Sequence, residues 1–180
     1  MKKFLFSKVL VVILTLFGFC WAASAQREAF NKGDNVINAG IGLGSYINHA
    51  GFSMAIPPIT ASFEYGILDL FNRKGAIGVG GYLGYVLYRD KRSDYNIGDF
   101  VIGPRGLFHY QFVDKLDTYA GLMLGYDIVS FSQRMPDATG SRFYSTFFIG
   151  ARYYFTRNVA VFGELGYNIA PLELGLSYKF

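Results

Sequence analysis

The sequence predicts an all-β chain, an eight-stranded antiparallel up-and-down transmembrane β-barrel preceded by a cleaved signal peptide. Three observations predict it. Large apolar residues alternate with polar or small ones in one segment after another, which is typical of strands with one apolar face. Phe, Tyr and Gly are abundant, while charged residues make up 17% of the chain, against about 25% in typical soluble domains. After the N-terminal region, no apolar run reaches the roughly 18 residues of a membrane helix.

The first 25 residues have the pattern of a secretory signal peptide. A basic start is followed by an apolar run over residues 9–21 and by a small-x-small cleavage site at residues 23–25. An uncleaved membrane helix is one alternative, but the run is shorter than the roughly 20 residues that a span needs. Lipoprotein processing at Cys20 is another, although Phe19 stands where that site has a small residue.

Cleavage would leave residues 26–180, about the size of one domain. We expect residues 26–34 to be a short, disordered periplasmic lead-in and residues 35–180 to be the barrel. The signal removes three lysines, so the formal charge falls from +4 to +1 and gives no argument for nucleic acid. It also removes the one cysteine, which excludes disulfide and thiol chemistry in the mature chain.

The first four predicted strands cover residues 35–47, 59–67, 75–88 and 99–112. In the first three, odd-numbered apolar residues form one face, and the residues opposite are mostly polar or glycine. The fourth sets even-numbered apolar residues opposite Arg105, His109 and Gln111. Residues 48–58 are predicted to be a loop closed by two prolines, and its apolar part, residues 50–56, would cap the barrel or contact a hydrophobic ligand.

The last four predicted strands cover residues 118–129, 142–155, 159–169 and 172–180. Strands of this length suit a membrane barrel, which needs about 9–11 residues per crossing. Short turns are predicted at 68–74, 113–117 and 156–158. The opposite end has the connections 48–58, 89–98, 130–141 and the short 169–171. Longer loops at one end and short turns at the other are expected of membrane barrels.

The mature chain resembles the small eight-stranded bacterial outer-membrane β-barrel family, of the OmpX and OmpA-barrel type. The resemblance is carried by aromatic–glycine strands such as Ser62-Phe-Glu-Tyr-Gly66 and Gly150-Ala-Arg-Tyr-Tyr154, and by the C-terminal strand. It implies a monomer in the bacterial outer membrane, with outer-membrane lipid and lipopolysaccharide as partners. It also implies that the barrel-insertion machinery reads an alternating C-terminal signal formed by Leu174, Leu176, Tyr178 and Phe180.

The charged residues within the strands lie on the face opposite the apolar residues. Eight strands leave an interior just wide enough for side chains, and buried charges must be paired. We therefore predict Arg–Glu pairs that plug the lumen and have a structural role. This lumen charge network consists of Glu64, Arg105, Arg152 and Glu164.

A soluble lipocalin-like barrel is the alternative architecture, but it would place the apolar face inward and the charges outward.

We predict a structural, adhesive or loop-mediated interaction role. A narrow channel for a small hydrophobic solute is the alternative. The charged segment 89–94 would contact lipopolysaccharide phosphates or simply be solvated.

An outer-leaflet lipid-modifying enzyme is a further hypothesis. Its catalytic residues would be a histidine, a serine and a carboxylate, so His49 would have to lie close to Ser45 or Ser53 and to Asp127. No spacing requires that arrangement. His109 is expected to be a hydrogen-bonded lumen residue, and two separated histidines give no metal signature. We predict no enzymatic activity, no catalytic or metal-binding residues, no cofactor and no nucleic-acid partner.

Overall fold

The computed structural model describes residues 29–47, 49–90, 95–131 and 140–180. The predicted signal peptide, the charged loop tip at 91–94 and most of the predicted loop at 130–141 lie outside the described residues. No helix in the described ranges is long and apolar enough to cross a membrane.

Eight strands follow one another around a closed barrel, each antiparallel to the next. β1 also pairs with β8, from Val36 opposite Lys179 to Leu43 opposite Leu172, which closes the barrel. The predicted all-β, eight-stranded up-and-down barrel is therefore confirmed. The strands are β1 Asn35–Leu43, β2 Phe52–Leu70, β3 Gly75–Asp90, β4 Asn96–Val113, β5 Leu116–Phe131, β6 Ser141–Tyr154, β7 Val159–Gly166 and β8 Leu172–Lys179.

The pleat of each strand decides which side chains enter the lumen. In β1, buried and exposed residues alternate from Val36 to Leu43, and the middle of β2 and β4 repeats the pattern. The outward set is apolar: Ile41, Leu124 and Phe147 are each more than half exposed. The inward set includes most of the buried charged residues in the part of the chain that the structure describes. Apolar side chains outside and charged side chains inside are the reverse of the arrangement in a lipocalin-like barrel.

The two ends of the barrel differ. We call the end that carries both chain termini the terminal end, and its tight turns are residues 71–74, 114–115 and 155–158. The opposite end is the loop end, with connections 44–51, 91–95, 132–140 and 167–171. The turn at 114–115 is shorter than predicted because Lys115 adopts a left-handed backbone, φ 65°, that reverses the chain at once. Asp117 consequently lies in β5.

The first predicted loop is partly wrong. β1 ends at Leu43, where Gly44 takes a positive φ of 79°. β2 begins at Phe52 and runs through Pro57 and Pro58, and its register with β3 shifts between Met54 and Ile59. Prolines have no N–H to donate, and such irregularities are where a strand tolerates them. Much of the expected apolar cap is therefore strand.

The expectation of a disordered lead-in is also wrong for the part that the structure describes. Ala29, Phe30 and Asn31 are buried at the terminal end. The Ala29 N–H donates to Gln111 Oε1 at 2.9 Å, and the Gly33 N–H donates to the Gly66 carbonyl at 2.8 Å. Phe30 packs with Val36 and Ala76, so one aromatic residue ties this polar segment to the inside of the barrel.

Candidate functional site

The four residues predicted to form the lumen charge network all point into the barrel and are buried. They come from four different strands, β2, β4, β6 and β7, so only closure of the barrel brings them together. The structure joins them as two ion pairs, Arg105 with Glu164 and Arg152 with Glu64.

Arg105 and Glu164 form the pair nearer the loop end. Arg105 Nη2 lies 2.7 Å from both carboxylate oxygens of Glu164. Glu164 also accepts from Asn168 Nδ2 at 2.6 Å and from the Tyr119 hydroxyl at 3.2 Å. The guanidinium lies 3.9 Å from the centroid of the Phe148 ring, a cation–π contact. The carboxylate therefore has several donors, as a buried charge requires.

Arg152 and Glu64 form the pair nearer the terminal end, and both are fully buried. Arg152 Nη1 also donates to Asp117 Oδ2 at 2.9 Å, and its Nε donates to Asn38 Oδ1 at 3.1 Å. Its guanidinium lies 4.5 Å from the centroid of the Tyr119 ring. Arg152 thus bridges two carboxylates.

Sequence reasoning missed Asp117 because it assigned this residue to a turn. The alternation contained the signal, since Asp117 has the same parity as the inward-facing Tyr119 and Met123. Asp117 Oδ1 lies 2.9 Å from His109 Nδ1, which places His109 in the lumen with a hydrogen-bond partner. Phe30 stacks on the His109 ring with centroids 4.0 Å apart, so the N-terminal segment forms a floor beneath the charges.

Glu173 is a further lumen carboxylate. It lies directly opposite Glu164 on the neighbouring strand and accepts a 2.6 Å hydrogen bond from the Tyr82 hydroxyl. This part of the lumen holds four carboxylates and three basic groups. The basic groups are the two guanidinium groups and the His109 imidazole, and the carboxylates are those of Glu64, Asp117, Glu164 and Glu173. In this part of the lumen, acidic groups therefore outnumber the arginines.

An apolar layer separates these charges from the loop end. Tyr82, Val86, Val101 and Ile169 are buried there in one cluster with Ile47. The Tyr88 hydroxyl donates to the Ile47 carbonyl and fixes the first loop across this layer. A solute that entered from the loop end would meet these packed apolar side chains before it met the lumen charge network.

His49 lies above this layer, with Nε2 2.8 Å from Asp99 Oδ2 and its ring against Phe52 and Tyr88. No serine among the described residues hydrogen-bonds to His49, whereas a nucleophile and its base should lie within hydrogen-bond reach. Within the described ranges, no cluster of three or more His, Cys, Asp or Glu residues is arranged to hold a metal ion.

The four residues of the predicted insertion signal face outward on β8 and at the C-terminus. They are about half exposed, from 47% at Leu174 to 60% at Leu176. Tyr178 and Phe180 stack with ring centroids 6.2 Å apart and belong to a group of outward aromatic residues at the terminal end that includes Tyr153 and Phe155. Aromatic girdles of this kind flank the apolar band of membrane barrels.

Comparison with solved structures identifies the fold. The chain is similar to Ail, the attachment invasion locus protein of Yersinia pestis, solved in complex with the heparin analogue sucrose octasulfate: 13% identity, 83% of this chain, 99% of that chain, TM-score 0.56. It is also similar to the outer-membrane protein OprG of Pseudomonas aeruginosa, with 10% identity, 85% and 98% coverage and a TM-score of 0.55. No protein-family model and no curated protein matches the chain. At these identities the likeness shows the fold, that of small eight-stranded outer-membrane barrels.

Proposed function

We propose that this chain is a monomeric bacterial outer-membrane barrel with a closed lumen, and that it acts through its rigidity and its loop end as a structural, adhesive or interaction protein. The observation that carries the proposal is the set of buried side chains inside the barrel. Arg105 and Arg152 are each held by buried carboxylates, Phe30 packs beneath them, and an apolar layer packs above them.

The outer surface of the barrel supports the proposed location in the outer membrane. Apolar side chains cover the outward face, and aromatic residues gather near both ends of the strands. In water such a surface would aggregate, whereas in a bilayer it matches the hydrocarbon. The terminal end would face the periplasm and the loop end the exterior, where outer-membrane lipid and lipopolysaccharide are the partners. Export by the predicted signal peptide belongs to the same proposal.

The C-terminal strand supports a second partner, the barrel-insertion machinery. The outer face of β8 is continuously apolar and is formed by Leu174, Leu176, Tyr178 and Phe180. The insertion machinery could recognise this face before β8 pairs with β1. The β1–β8 pairing supports a monomer, because it leaves no free strand edge along which a second copy could extend the sheet.

Planar-bilayer conductance of the refolded barrel tests the closed lumen, with heat-shifted gel mobility as proof of folding. We expect no steady conductance from the unchanged protein. The double variant Arg105→Ala/Glu164→Ala, which removes the pair nearer the loop end, should conduct more than the unchanged protein if folded. Steady conductance by the unchanged protein would contradict the proposal and favour a transport role.

A narrow channel for a small hydrophobic solute remains the second candidate, and one observation favours it. β7 ends at Gly166, opposite Phe148, so the upper part of β6 has no strand on that side among the residues that the structure describes. A solute could leave sideways through this break without crossing the lumen charge network. Uptake of a hydrophobic dye into vesicles that contain the protein, with empty vesicles as control, would separate this role from the closed barrel.

A further inference from the structure

The barrel wall has a break near the loop end. β6 pairs with β5 over its whole length, from Ser141 to Tyr153, but its pairing with β7 stops at Phe148. The last backbone bond across this junction runs from the Tyr167 N–H to the Phe147 carbonyl at 3.3 Å. Residues 141–147 therefore have β5 on one side and, among the described residues, no strand on the other.

A cavity of about 310 Å³ lies at this break, at the lower end of the size range of small-ligand sites. We call it the side cleft. It lies between the upper part of β6 and the loops 44–51 and 167–171, and the residues that define its chemistry are Tyr46, Asp127, Arg142, Tyr144, Tyr167 and Asn168.

Three polar atoms of residues that line the side cleft have no hydrogen-bond partner among the described residues. They are Asp127 Oδ1, Asn168 Oδ1 and the Tyr144 hydroxyl. Asp127 is 1% exposed and Asn168 is 4% exposed, so these oxygens are shielded from bulk water. A buried acceptor without a donor is costly, and native structures satisfy most such groups. Two acceptors and one hydroxyl, on residues of one cleft, are groups that water or a ligand with several hydrogen-bond donors would satisfy.

The charge of the side cleft is nearly balanced. Arg142 Nε lies 3.3 Å from Asp127 Oδ2, and the Arg142 side chain is 67% exposed at the rim. An ammonium ligand would find the carboxylate already paired, and a purely apolar ligand would leave the three polar atoms unsatisfied. A neutral ligand with several hydroxyl groups meets neither difficulty.

The rim of the side cleft offers an aromatic surface. Tyr46 and Tyr167 stack on each other with centroids 5.0 Å apart, and they are 49% and 68% exposed. The exposed tyrosine rings lie beside carboxylate and amide groups that can form hydrogen bonds. This combination suits a ligand whose own ring is apolar on its faces and polar at its edge. Phe143, next to Tyr126 on the outer wall, is 83% exposed, which puts the opening at the level of an aromatic girdle.

We propose that the side cleft binds a sugar ring. Asp127, Asn168 and Tyr144 would bond its hydroxyl groups, and Tyr46 and Tyr167 would cover its apolar face. The ring could belong to the headgroup of a glycolipid that enters sideways from the membrane, or to a free saccharide that enters from the exterior. This site lies above the lumen charges and does not depend on whether the lumen is closed.

The test uses the full barrel refolded in lauryldimethylamine oxide micelles, which contain no sugar. Octyl-β-D-glucoside represents the lipid-linked sugar, methyl-β-D-glucoside the free sugar, and octyl tetraethylene glycol the sugar-free amphiphile. The readout is the NMR signal of the Asn168 side-chain amide, whose Nδ2 is fixed by its bond to Glu164. We expect saturable shifts with a glucoside and none with the glycol.

Tyr144→Phe is the informative variant, because the hydroxyl it removes has no partner in the described structure and its loss should not impair folding. Tyr154→Phe is the matched control, since its buried hydroxyl at the terminal end also has no partner there. Tyr144→Phe should weaken glucoside binding roughly three- to tenfold, the range expected for one hydrogen bond, and Tyr154→Phe should not.

The two glucosides separate the sources of the ligand. Saturation by octyl glucoside alone assigns the cleft to a membrane glycolipid, and saturation by both assigns it to sugars in general. Failure of both glucosides to saturate the signal would overturn the proposal and indicate that water satisfies the cleft. Equal effects of Tyr144→Phe and Tyr154→Phe would overturn it as well.

Discussion

Replacing Arg105 with methionine tests whether the lumen charges hold the barrel together. Methionine keeps much of the volume and can still contact the Phe148 ring through sulfur, so the main loss is the charge. Glu164 would remain buried with two donors, Asn168 and Tyr119, but without its counter-ion. The substitution therefore isolates the electrostatic contribution of one pair.

The expected loss follows from the burial of the pair. Removing one partner of a buried ion pair typically costs about 3–5 kcal/mol. Because Glu164 keeps two neutral donors, we expect the lower end, about 3 kcal/mol of unfolding free energy. With a urea dependence of about 2 kcal/mol per molar, the unfolding midpoint should fall by about 1.5 M. The double variant Arg105→Met/Glu164→Gln should recover about half of the loss, because no unpaired charge remains.

Urea unfolding in lipid vesicles, followed by tyrosine fluorescence and gel mobility, measures these differences. Arg73→Met is the matched control: Arg73 pairs with Asp69 at 3.8 Å, and the two side chains are 58% and 29% exposed. A pair of that kind contributes less than about 1 kcal/mol. If Arg105→Met and Arg73→Met lowered the midpoint equally, the lumen would be hydrated and the inference of a dry, paired interior would be refuted.

Two further predictions concern the same interior. Glu173→Gln should stabilise the barrel by roughly 0.2–1 kcal/mol, because Glu173 and Glu164 are like charges directly opposite each other; a lower urea midpoint would show that the second carboxylate is needed. Gly150→Ala should destabilise the barrel by about 1–3 kcal/mol, since a Cβ there would overlap the Tyr119 ring. Gly106→Ala is its control, with nothing within 4 Å of the added carbon, and its midpoint should be nearly unchanged.

The architecture was predictable because side-chain alternation is a local property. A residue's parity within its strand assigns it to the lumen or to the outer face without knowledge of its partners, which is how Glu64 and Arg152 could be placed inside. The choice of partners is not local. Arg152 takes Asp117 as well as Glu64, and this depends on the register of β5 against β6 and on a turn of only two residues.

Other features could not be predicted from alternation because they interrupt it. Pro57 and Pro58 favour a loop by their own conformational preferences, yet tertiary pairing continues the strand past them with a shift of register. Phe30 stands in a polar segment, and only the closed barrel offers it a pocket beside His109. The side cleft arises where β7 ends at Gly166, whereas periodicity extended that strand to residue 169.

The floor of the barrel joins the segment at residues 29–34 to the C-terminal strand β8. Lys179 Nζ donates to the Ala29 carbonyl across 150 residues and lies 3.3 Å from Asp34. Contacts between such distant residues form late, because the entropy of closing the intervening loop must be overcome first. We therefore expect the contacts of Lys179 with Ala29 and Asp34 to form only when β8 has paired with β1. A barrel without β8 in place would lack these contacts, and we expect the segment at residues 29–34 to be more open to proteases there.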